Sequence, residues 1–199
     1  MKTVDAIRAH AQRSTDVIIA AVNDLDEDIL KAAGQMIRCL EEGGRILACG
    51  NGGSASDALH FTAELVNRYR DDRIPLAAIA LNADVATLTA IANDYHYDDV
   101  FSKQVTAFGR RGDILLAITT SGNSRNILKA MQAAGDAGVT TILLSGRDGG
   151  VCARLRGDHD MLLCVANDVT AHIQEAHAVI IHCLCAIIES HFLKHAVND

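Results

Sequence analysis

Two polar turns, at residues 50–54 and 119–124, carry residue types that could bind an anion. Each turn follows an apolar run and precedes a helical pattern, whose first turn would offer unpaired N–H groups and a partial positive charge. The carboxyl ends of parallel strands meet at one edge of a sheet, where open α/β sheets bind anionic ligands. The two turns together predict a phosphate-type site. Helix capping by Ser121, Asn123 or Ser124 would account for the second turn alone.

Proton chemistry is suggested by His60 and Glu64, which lie four residues apart in the helical pattern after the first turn. This spacing places them on one face, which can look toward a bound ligand. A glutamate is a suitable base for a proton next to a carbonyl group if desolvation raises its pKa. The same pair could supply two ligands of a divalent metal. A solvated i,i+4 pair remains the structural alternative.

The last helical pattern, residues 170–194, carries polar side chains within an apolar stretch. An unpartnered imidazole costs free energy in apolar surroundings, so His182 needs a partner. That partner is either a hydrogen-bonding group of the core or a group in a functional site. Gln174, Glu175 and His177 on the same helix favour a site.

Five short apolar runs alternate with helical patterns, which predicts a parallel sheet with right-handed crossover connections. The expected strands are 45–49, 76–81, 113–118, 139–145 and 160–165. The expected helices are 4–22, 26–42, 54–69, 84–92, 98–108, 124–137 and 170–194. We therefore expect a single domain over residues 1–199, an α/β protein built as a three-layer α/β/α sandwich with a five-stranded parallel sheet. Residues 1–44 would form a helical pair that packs on the sandwich and at a subunit interface.

The composition narrows the functional class. The formal net charge of −7 argues against nucleic-acid binding, which needs a basic face. The first twenty residues show no secretion signal, and the apolar stretch 178–188 is too short to span a bilayer. We expect a cytoplasmic protein without a membrane partner. The six cysteines form no Cys-x-x-Cys pair, so reduced structural thiols are the interpretation.

Two stretches, 17–22 and 178–188, are apolar around most of a helix circumference. A helix of this kind must be buried on several sides. The pattern predicts a homo-oligomer, and a monomer whose helices cover each other is the alternative.

A dinucleotide site is the competing interpretation of the first turn, since Gly50, Gly52 and Ala55 fit G-x-G-x-x-A. That site also needs an acidic residue at the end of the second strand. Asn82 stands there, with Asp84 beyond it. The sequence therefore disfavours a nicotinamide cofactor.

Taken together, these motifs resemble those of the sugar isomerase (SIS) domain family over nearly the whole chain. The motifs are Cys49-Gly-Asn-Gly-Gly-Ser54, His60-Phe-Thr-Ala-Glu64, Ala92-Asn-Asp94, Thr120-Ser-Gly-Asn-Ser124, Gly146-Arg-Asp-Gly-Gly150 and Ile173-Gln-Glu-Ala-His177. The resemblance implies an aldose–ketose isomerase that converts sedoheptulose 7-phosphate to D-glycero-D-manno-heptose 7-phosphate. This reaction begins the heptose (ADP-heptose) branch of lipopolysaccharide synthesis.

The resemblance also implies roles for individual residues. Glu64 would move a proton between C1 and C2 through an enediol, and His182 would be the acid/base that serves the oxygens. The implied substrate contacts are Asn51, Gly52, Gly53, Glu64, Asn93, Asp94, Thr119, Thr120, Ser121, Ser124 and Gln174. The implied ligands of one zinc ion are His60, Glu64, Gln174 and His182. Members of this kind form homotetramers with active sites between subunits.

Helix geometry raises a question about that zinc set. Gln174 and His182 are eight residues apart, roughly 12 Å along a helix axis and about 80° apart in bearing. Zinc bonds are only ~2 Å long. Either the two residues come from different copies of the chain, or one of them is not a ligand, with His177 as the spare candidate.

Two positions depart from the family pattern. Thr119 stands where the phosphate turn often has serine, which keeps a hydroxyl group. His172 stands where the segment before Ile173-Gln-Glu usually carries arginine. The role of that arginine in placing substrate is therefore open in this chain.

Two other functions remain as alternatives. A non-catalytic SIS-domain relative binds the replication initiator protein, but it has serine at the position of Glu64 and arginine at that of Ser121. This chain keeps both residues, which favours the enzyme. An isomerase of another sugar phosphate stays open, because chain-length selectivity depends on the shape of the pocket.

Overall fold

The computed structural model describes residues 3–196, with side chains described as far as residue 193. Its sheet has five parallel strands in the order β2-β1-β3-β4-β5. The strands are β1 (Ile46–Gly50), β2 (Ala78–Ala80), β3 (Ile114–Thr119), β4 (Thr140–Gly146) and β5 (Met161–Val165). The helices are α1 (Thr3–Glu41), α2 (Gly53–Val66), α3 (Val85–Asp94), α4 (Ser102–Phe108), α5 (Arg125–Ala137), α6 (Gly150–Arg154) and α7 (Thr170–Ala196). The predicted three-layer fold is confirmed.

The central strands are continuous apolar runs because helices cover both faces of the sheet. Successive side chains of a strand point to opposite faces. Ile46 and Ala48 of β1 therefore lie in a core with α1, α2 and α7. Leu47 and Cys49 lie in a second core with α4 and α5.

The strand order reverses between β1 and β3, which are neighbours although β2 lies between them in the chain. Gly50, at the end of β1, pairs in register with Ile118 near the end of β3. A crevice outside the carboxyl ends of such strands is the usual ligand site of an open α/β sheet. Both polar turns leave the sheet at this point.

The amino-terminal region differs from the prediction. Residues 4–22 and 26–42 were expected to form two helices, but α1 is one continuous helix from Thr3 to Glu41. No glycine or proline interrupts the chain near residues 23–25, so the backbone has no local reason to break. Leu25 packs against the core, and α1 lies along α7, which supports the helix through that point.

Smaller differences concern boundaries. The second strand is shorter than predicted, and the expected helix 98–108 is a 3₁₀ turn at Tyr97–Asp99 followed by α4. The short helix α6 was not predicted. Its Cys152 N–H donates to the carbonyl of Gly122, so tertiary contact with the second polar turn stabilises it.

Helix α7 is a core helix. Over Thr170–Leu193 it is long and apolar enough, by length and composition, to cross a membrane. Core helices of soluble proteins pass the same test, and α7 packs against α1, α2, β4 and β5. Ile173, Ile180 and Leu184 are fully buried in these contacts.

All six cysteines are free thiols, as predicted. Burial raises the pKa of Cys39 and Cys152 to about 11 and that of Cys185 to about 12. Because the thiolate is the reactive form, these residues are inert parts of the core at neutral pH.

Candidate active site

The first polar turn lies between β1 and the start of α2. The side chain of Asn82, just beyond β2, holds this turn to the sheet. Its Oδ1 accepts from the Gly50 N–H at 3.2 Å, and its Nδ2 donates to the Gly50 carbonyl at 2.9 Å. Asn82 entered the sequence argument only as evidence against a dinucleotide site, so this positioning role was missed. A polar residue directly after a strand was the available signal.

A pair of asparagines joins the first polar turn to the start of α5, which directly follows the second polar turn. Asn51 Nδ2 donates to Asn126 Oδ1 at 2.9 Å, and Asn126 Nδ2 donates to Asn51 Oδ1 at 2.8 Å. The Tyr97 hydroxyl donates to the same Asn51 oxygen at 3.2 Å. Asn126 is almost fully buried in the first turn of α5. Neither Asn126 nor Tyr97 was predicted, because only the folded sheet brings residues 51 and 126 together.

The second polar turn presents hydroxyl groups at the start of α5. The Oγ atoms of Thr119 and Ser124 lie 3.3 Å apart. Ser124 occupies the N-cap position, yet its side chain makes no capping hydrogen bond. The Ser121 Oγ accepts from the Asn123 N–H at 3.2 Å, and Thr120 is partly exposed beside it. Capping by Ser124 therefore does not explain this turn.

The backbone shape of the second turn depends on Gly122, which has a φ of 65°. A Cβ atom there would overlap the backbone of Gly149 and Gly150. The close approach brings α6 against the turn and holds the hydroxyl groups in place.

The proton-transfer candidates meet where α2 faces α7. His60 Nε2 lies 2.9 Å from His182 Nε2, so one ring donates and the other accepts. His60 Nδ1 lies 3.6 Å from Glu64 Oε1. The Glu64 side chain is only 21% exposed, which disfavours the solvated-pair interpretation. His182 thus has the partner that its apolar surroundings require, and that partner is the predicted site residue His60.

Gln174 extends from α7 toward the first turn. A Cβ atom on Gly53 would overlap the Gln174 amide, so the absence of a side chain at Gly53 leaves room for it. The structure therefore places Gln174, one of the implied substrate contacts, beside Gly53 of the first turn.

His177 lies elsewhere. It is fully buried and donates from its ring to the Ser145 carbonyl at 2.9 Å. Burial lowers the pKa of His177 to about 4. Its Nε2 is engaged with the Ser145 carbonyl of β4, so this contact gives no support to the suggested role of His177 as a spare zinc ligand.

Asn93 and Asp94 end helix α3 and are exposed. Asn93 Nδ2 donates to Asp94 Oδ1 at 2.9 Å. Within residues 3–193, no hydrogen bond links either side chain to the two polar turns. The link from this region is Tyr97, three residues farther along, through Asn51.

Asp57 is a candidate that the sequence analysis missed. It lies one helical turn before His60 on α2, and burial raises its pKa to about 6, against the lowering effect of His60. Its Oδ2 is buried without a hydrogen-bond partner. The i,i+3 spacing to His60 was the signal that could have identified it.

The carboxyl end of α2 is held by a half-buried arginine. Arg73 donates to the carbonyl oxygens of Glu64 at 2.6 Å and Leu65 at 2.6 Å. Lysine and arginine side chains near a helix end can satisfy its last carbonyl groups. Arg73 therefore holds the helical turn that carries Glu64.

The implied zinc ligands converge only in part. His60 turns Nε2 toward His182 and Nδ1 toward Glu64, so a single ion cannot use both contacts. Among the described residues, the three-residue group whose possible ligand atoms all lie within 4.8 Å of one another is His10, His172 and Glu175. That group lies between α1 and α7 and was not predicted.

Comparison with known proteins first identifies the protein family. The model of the SIS domain family matches residues 9–146, which is more than half of the chain. The chain belongs to the SIS domain family.

Close relatives then narrow the class. The phosphoheptose isomerase of Shewanella loihica is 53% identical over 186 residues, covering 94% of each chain. That of Shewanella frigidimarina is 54% identical with the same coverage. Within the SIS domain family, the chain therefore belongs with the phosphoheptose isomerases.

Solved structures agree with this placement. Phosphoheptose isomerase from Neisseria gonorrhoeae is 47% identical, with a TM-score of 0.88 over 94% of this chain and 98% of that one. The Francisella tularensis enzyme is 45% identical, with a TM-score of 0.90 over 96% and 100%. The resemblance inferred from the motifs is confirmed.

Proposed function

We propose that this chain is an aldose–ketose isomerase that converts sedoheptulose 7-phosphate to D-glycero-D-manno-heptose 7-phosphate. The reaction would serve the heptose branch of lipopolysaccharide synthesis that leads to ADP-heptose. The observation that carries the proposal is the reciprocal hydrogen bonding of Asn51 and Asn126. It ties the start of α5, which directly follows the hydroxyl-rich turn, to the turn that begins the helix bearing Glu64, so an anion site and a base lie at one edge of the sheet.

The phosphate would lie at the second turn. Its proposed ligands are the hydroxyl groups of Thr119, Thr120, Ser121 and Ser124, together with N–H groups at the start of α5. The helix terminus and hydroxyl donors can hold a phosphate without a lysine, and residues 119–124 contain none. The proposed contacts along the sugar chain are Asn51, Gly52, Gly53, Asn93, Asp94 and Gln174.

The chemistry assigned to Glu64 is transfer of one proton. Its carboxylate takes a proton from C1 of the ketose, which forms a C1–C2 enediol, and returns the proton to C2. His182 moves a proton from O1 to O2, so the ketone at C2 becomes an aldehyde at C1. His60 orients the His182 ring through the 2.9 Å contact between their Nε2 atoms.

Zinc binding is a narrower proposal. The facing Nε2 atoms of His60 and His182 are nitrogen donors of the type that zinc takes, so these two residues would hold the ion. Glu64 Oε1 lies nearer the opposite nitrogen of His60, at 3.6 Å from Nδ1, so Glu64 and Gln174 would have to move to complete the set. A bound zinc ion would polarise the substrate carbonyl as a Lewis acid. Metal analysis of protein purified without chelators, beside His182→Gln, tests the assignment.

We also propose a homotetramer with active sites between subunits. Exposed apolar side chains support it: Val4, Ile7, Ile19 and Leu30 on α1, and Leu59 and Val66 on α2. Leu59 and Val66 flank the segment that holds His60 and Glu64, so a subunit contact there would border the site. The cytoplasm is the proposed location. Light scattering coupled to gel filtration measures the oligomeric state.

The reaction is tested by running it in deuterium oxide and following the product by NMR. We expect sedoheptulose 7-phosphate to be consumed and deuterium to appear at C2 of the aldose, because an enediol exchanges its proton with solvent. Faster turnover of another ketose phosphate would reassign the substrate. Failure to turn over any ketose phosphate, together with tight binding to the replication initiator protein, would favour the alternative of a non-catalytic protein that binds this initiator.

A further inference from the structure

A second cluster of possible metal ligands lies between α1 and α7, outside the residues assigned to isomerisation. His10 comes from α1, and His172 and Glu175 lie three residues apart on α7. The His10 and His172 rings are 5.0 Å apart between centroids, and His10 Nε2 lies 2.8 Å from Glu175 Oε1. The ligand atoms of all three lie within 4.8 Å of one another.

The donor set suits a divalent transition metal. Two imidazole nitrogens and one carboxylate oxygen are the ligands found in many zinc sites and in facial-triad iron sites. Bond lengths near ~2.0–2.2 Å are reachable from atoms this close after small side-chain rotations. The Ser14 hydroxyl donates to Glu175 Oε2, which leaves Oε1 directed toward His10. A hydrogen bond that orients a ligating carboxylate is a common supporting feature of metal sites.

His172 supplies an independent observation. The residue is only 4% exposed, so packed protein atoms rather than solvent surround most of its ring. The ring lies beside His10, and one of its nitrogens is close enough to the His10 and Glu175 ligand atoms to bind the same cation.

The cluster is accessible on its outer side. The side chains of His10 and Glu175 are 47% and 38% exposed. A cation can therefore enter from solvent, with water completing its coordination. The cluster shares no residue with the His60–His182 pair, and residues 172 and 182 lie about 15 Å apart along the α7 axis.

We propose that His10, His172 and Glu175 form a second metal site, which binds one divalent transition-metal cation such as zinc. The ion joins the amino-terminal half of α1 to the first turns of α7. Its role is structural, since none of its ligands belongs to the machinery assigned to the reaction.

Cobalt(II) is the probe, because its visible absorption changes when protein ligands replace the water around the free ion. The background is His60→Gln with His182→Gln, which removes the other pair of facing imidazoles. We expect this double variant to bind one cobalt ion per chain after chelator treatment. Adding His10→Gln abolishes that binding, whereas adding His159→Gln, which replaces an exposed histidine, does not.

Thermal unfolding gives a second readout. Saturating zinc raises the Tm of the double variant by about 5–10 °C and leaves the His10→Gln triple variant unchanged. If the double variant does not fold, the comparison is repeated in the otherwise unaltered chain. There, His10→Gln loses one equivalent of cobalt relative to His159→Gln. Equal cobalt stoichiometry with and without His10 overturns the proposal, as does the absence of binding in a folded double variant.

Discussion

Helix α7 contributes a histidine to two clusters that use the same residue types in different ways. Near its middle, His182 faces His60, and Glu64 lies at the opposite nitrogen of the His60 ring. Near its start, His172 lies with His10 and Glu175, and all three direct a ligand atom to one small region. Both clusters contain two histidines and one glutamate. Only the second arranges them around a common point.

The difference shows that composition does not determine what a cluster does. In the first cluster, the carboxylate is only 21% exposed and stands apart from the His60–His182 contact, which suits a base that must reach a substrate carbon. In the second, the carboxylate is held by Ser14 and His10 and has less freedom to move. The first arrangement leaves its carboxylate free for proton transfer, and the second directs its carboxylate and both imidazoles at one ion.

The most severe test of this comparison is Glu64→Gln. The amide cannot accept the C1 proton, so we expect kcat to fall by roughly 10³-fold or more while the fold and oligomeric state are kept. The NMR exchange assay measures the loss. Glu42→Gln, an exposed glutamate at the end of α1, serves as the matched control. Turnover near the wild-type rate in Glu64→Gln would show that Glu64 is not the base.

A second test uses His177, which lies between the clusters on α7 and belongs to neither. Its pKa is lowered from 6.5 to about 4, so the folded protein binds this proton less readily than the unfolded chain does. As pH falls from about 6.5 toward 4, the unfolded state gains the proton first, and stability decreases. We expect this residue alone to lower the free energy of unfolding by about 3 kcal/mol between pH 7 and pH 4.

Urea denaturation across this pH range measures the effect. The difference in unfolding free energy between pH 7 and pH 4 is expected to shrink in His177→Gln, even though that variant is less stable at pH 7. The same pH dependence in both proteins would mean that His177 is not the group responsible.

The smallest effect concerns Gln174 and Glu175, which are adjacent in the chain but serve different regions. In Gly53→Ala the new methyl group displaces the Gln174 amide, so kcat is expected to fall by about tenfold with little change in stability. Gly135→Ala, a helical glycine with open space around it, is the control. Unchanged kinetics in Gly53→Ala would show that the position of the Gln174 amide does not matter for the reaction.

Much of the fold could be predicted because the signals are local. The buried strands are short apolar runs, and β1, β3, β4 and β5 begin and end within one residue of their predicted bounds. The helix break expected near residues 23–25 was wrong for a reason that local patterns do not show. Contact with α7 keeps α1 continuous where no breaker is present.

The candidate site likewise contains some residues that local spacing predicts and others that only long-range contacts place. The turns at 50–54 and 119–124, and the face shared by His60 and Glu64, follow from spacing alone. Asn82, Asn126 and Tyr97 could not be assigned, because their roles arise from contacts across 32, 75 and 46 residues of chain.

The sequence by itself determined the sheet, the glycine and hydroxyl turns at its edge, and the helix that carries His60 and Glu64. These features depend on residues within a few positions of one another, where helical and strand periodicity dictates direction. Only the tertiary structure decided which imidazole nitrogen faces which partner, and that His172 meets His10 while His177 stays in the core. Those outcomes depend on how α1 and α2 pack against α7, since a small rotation of a packed helix changes which side chains can meet.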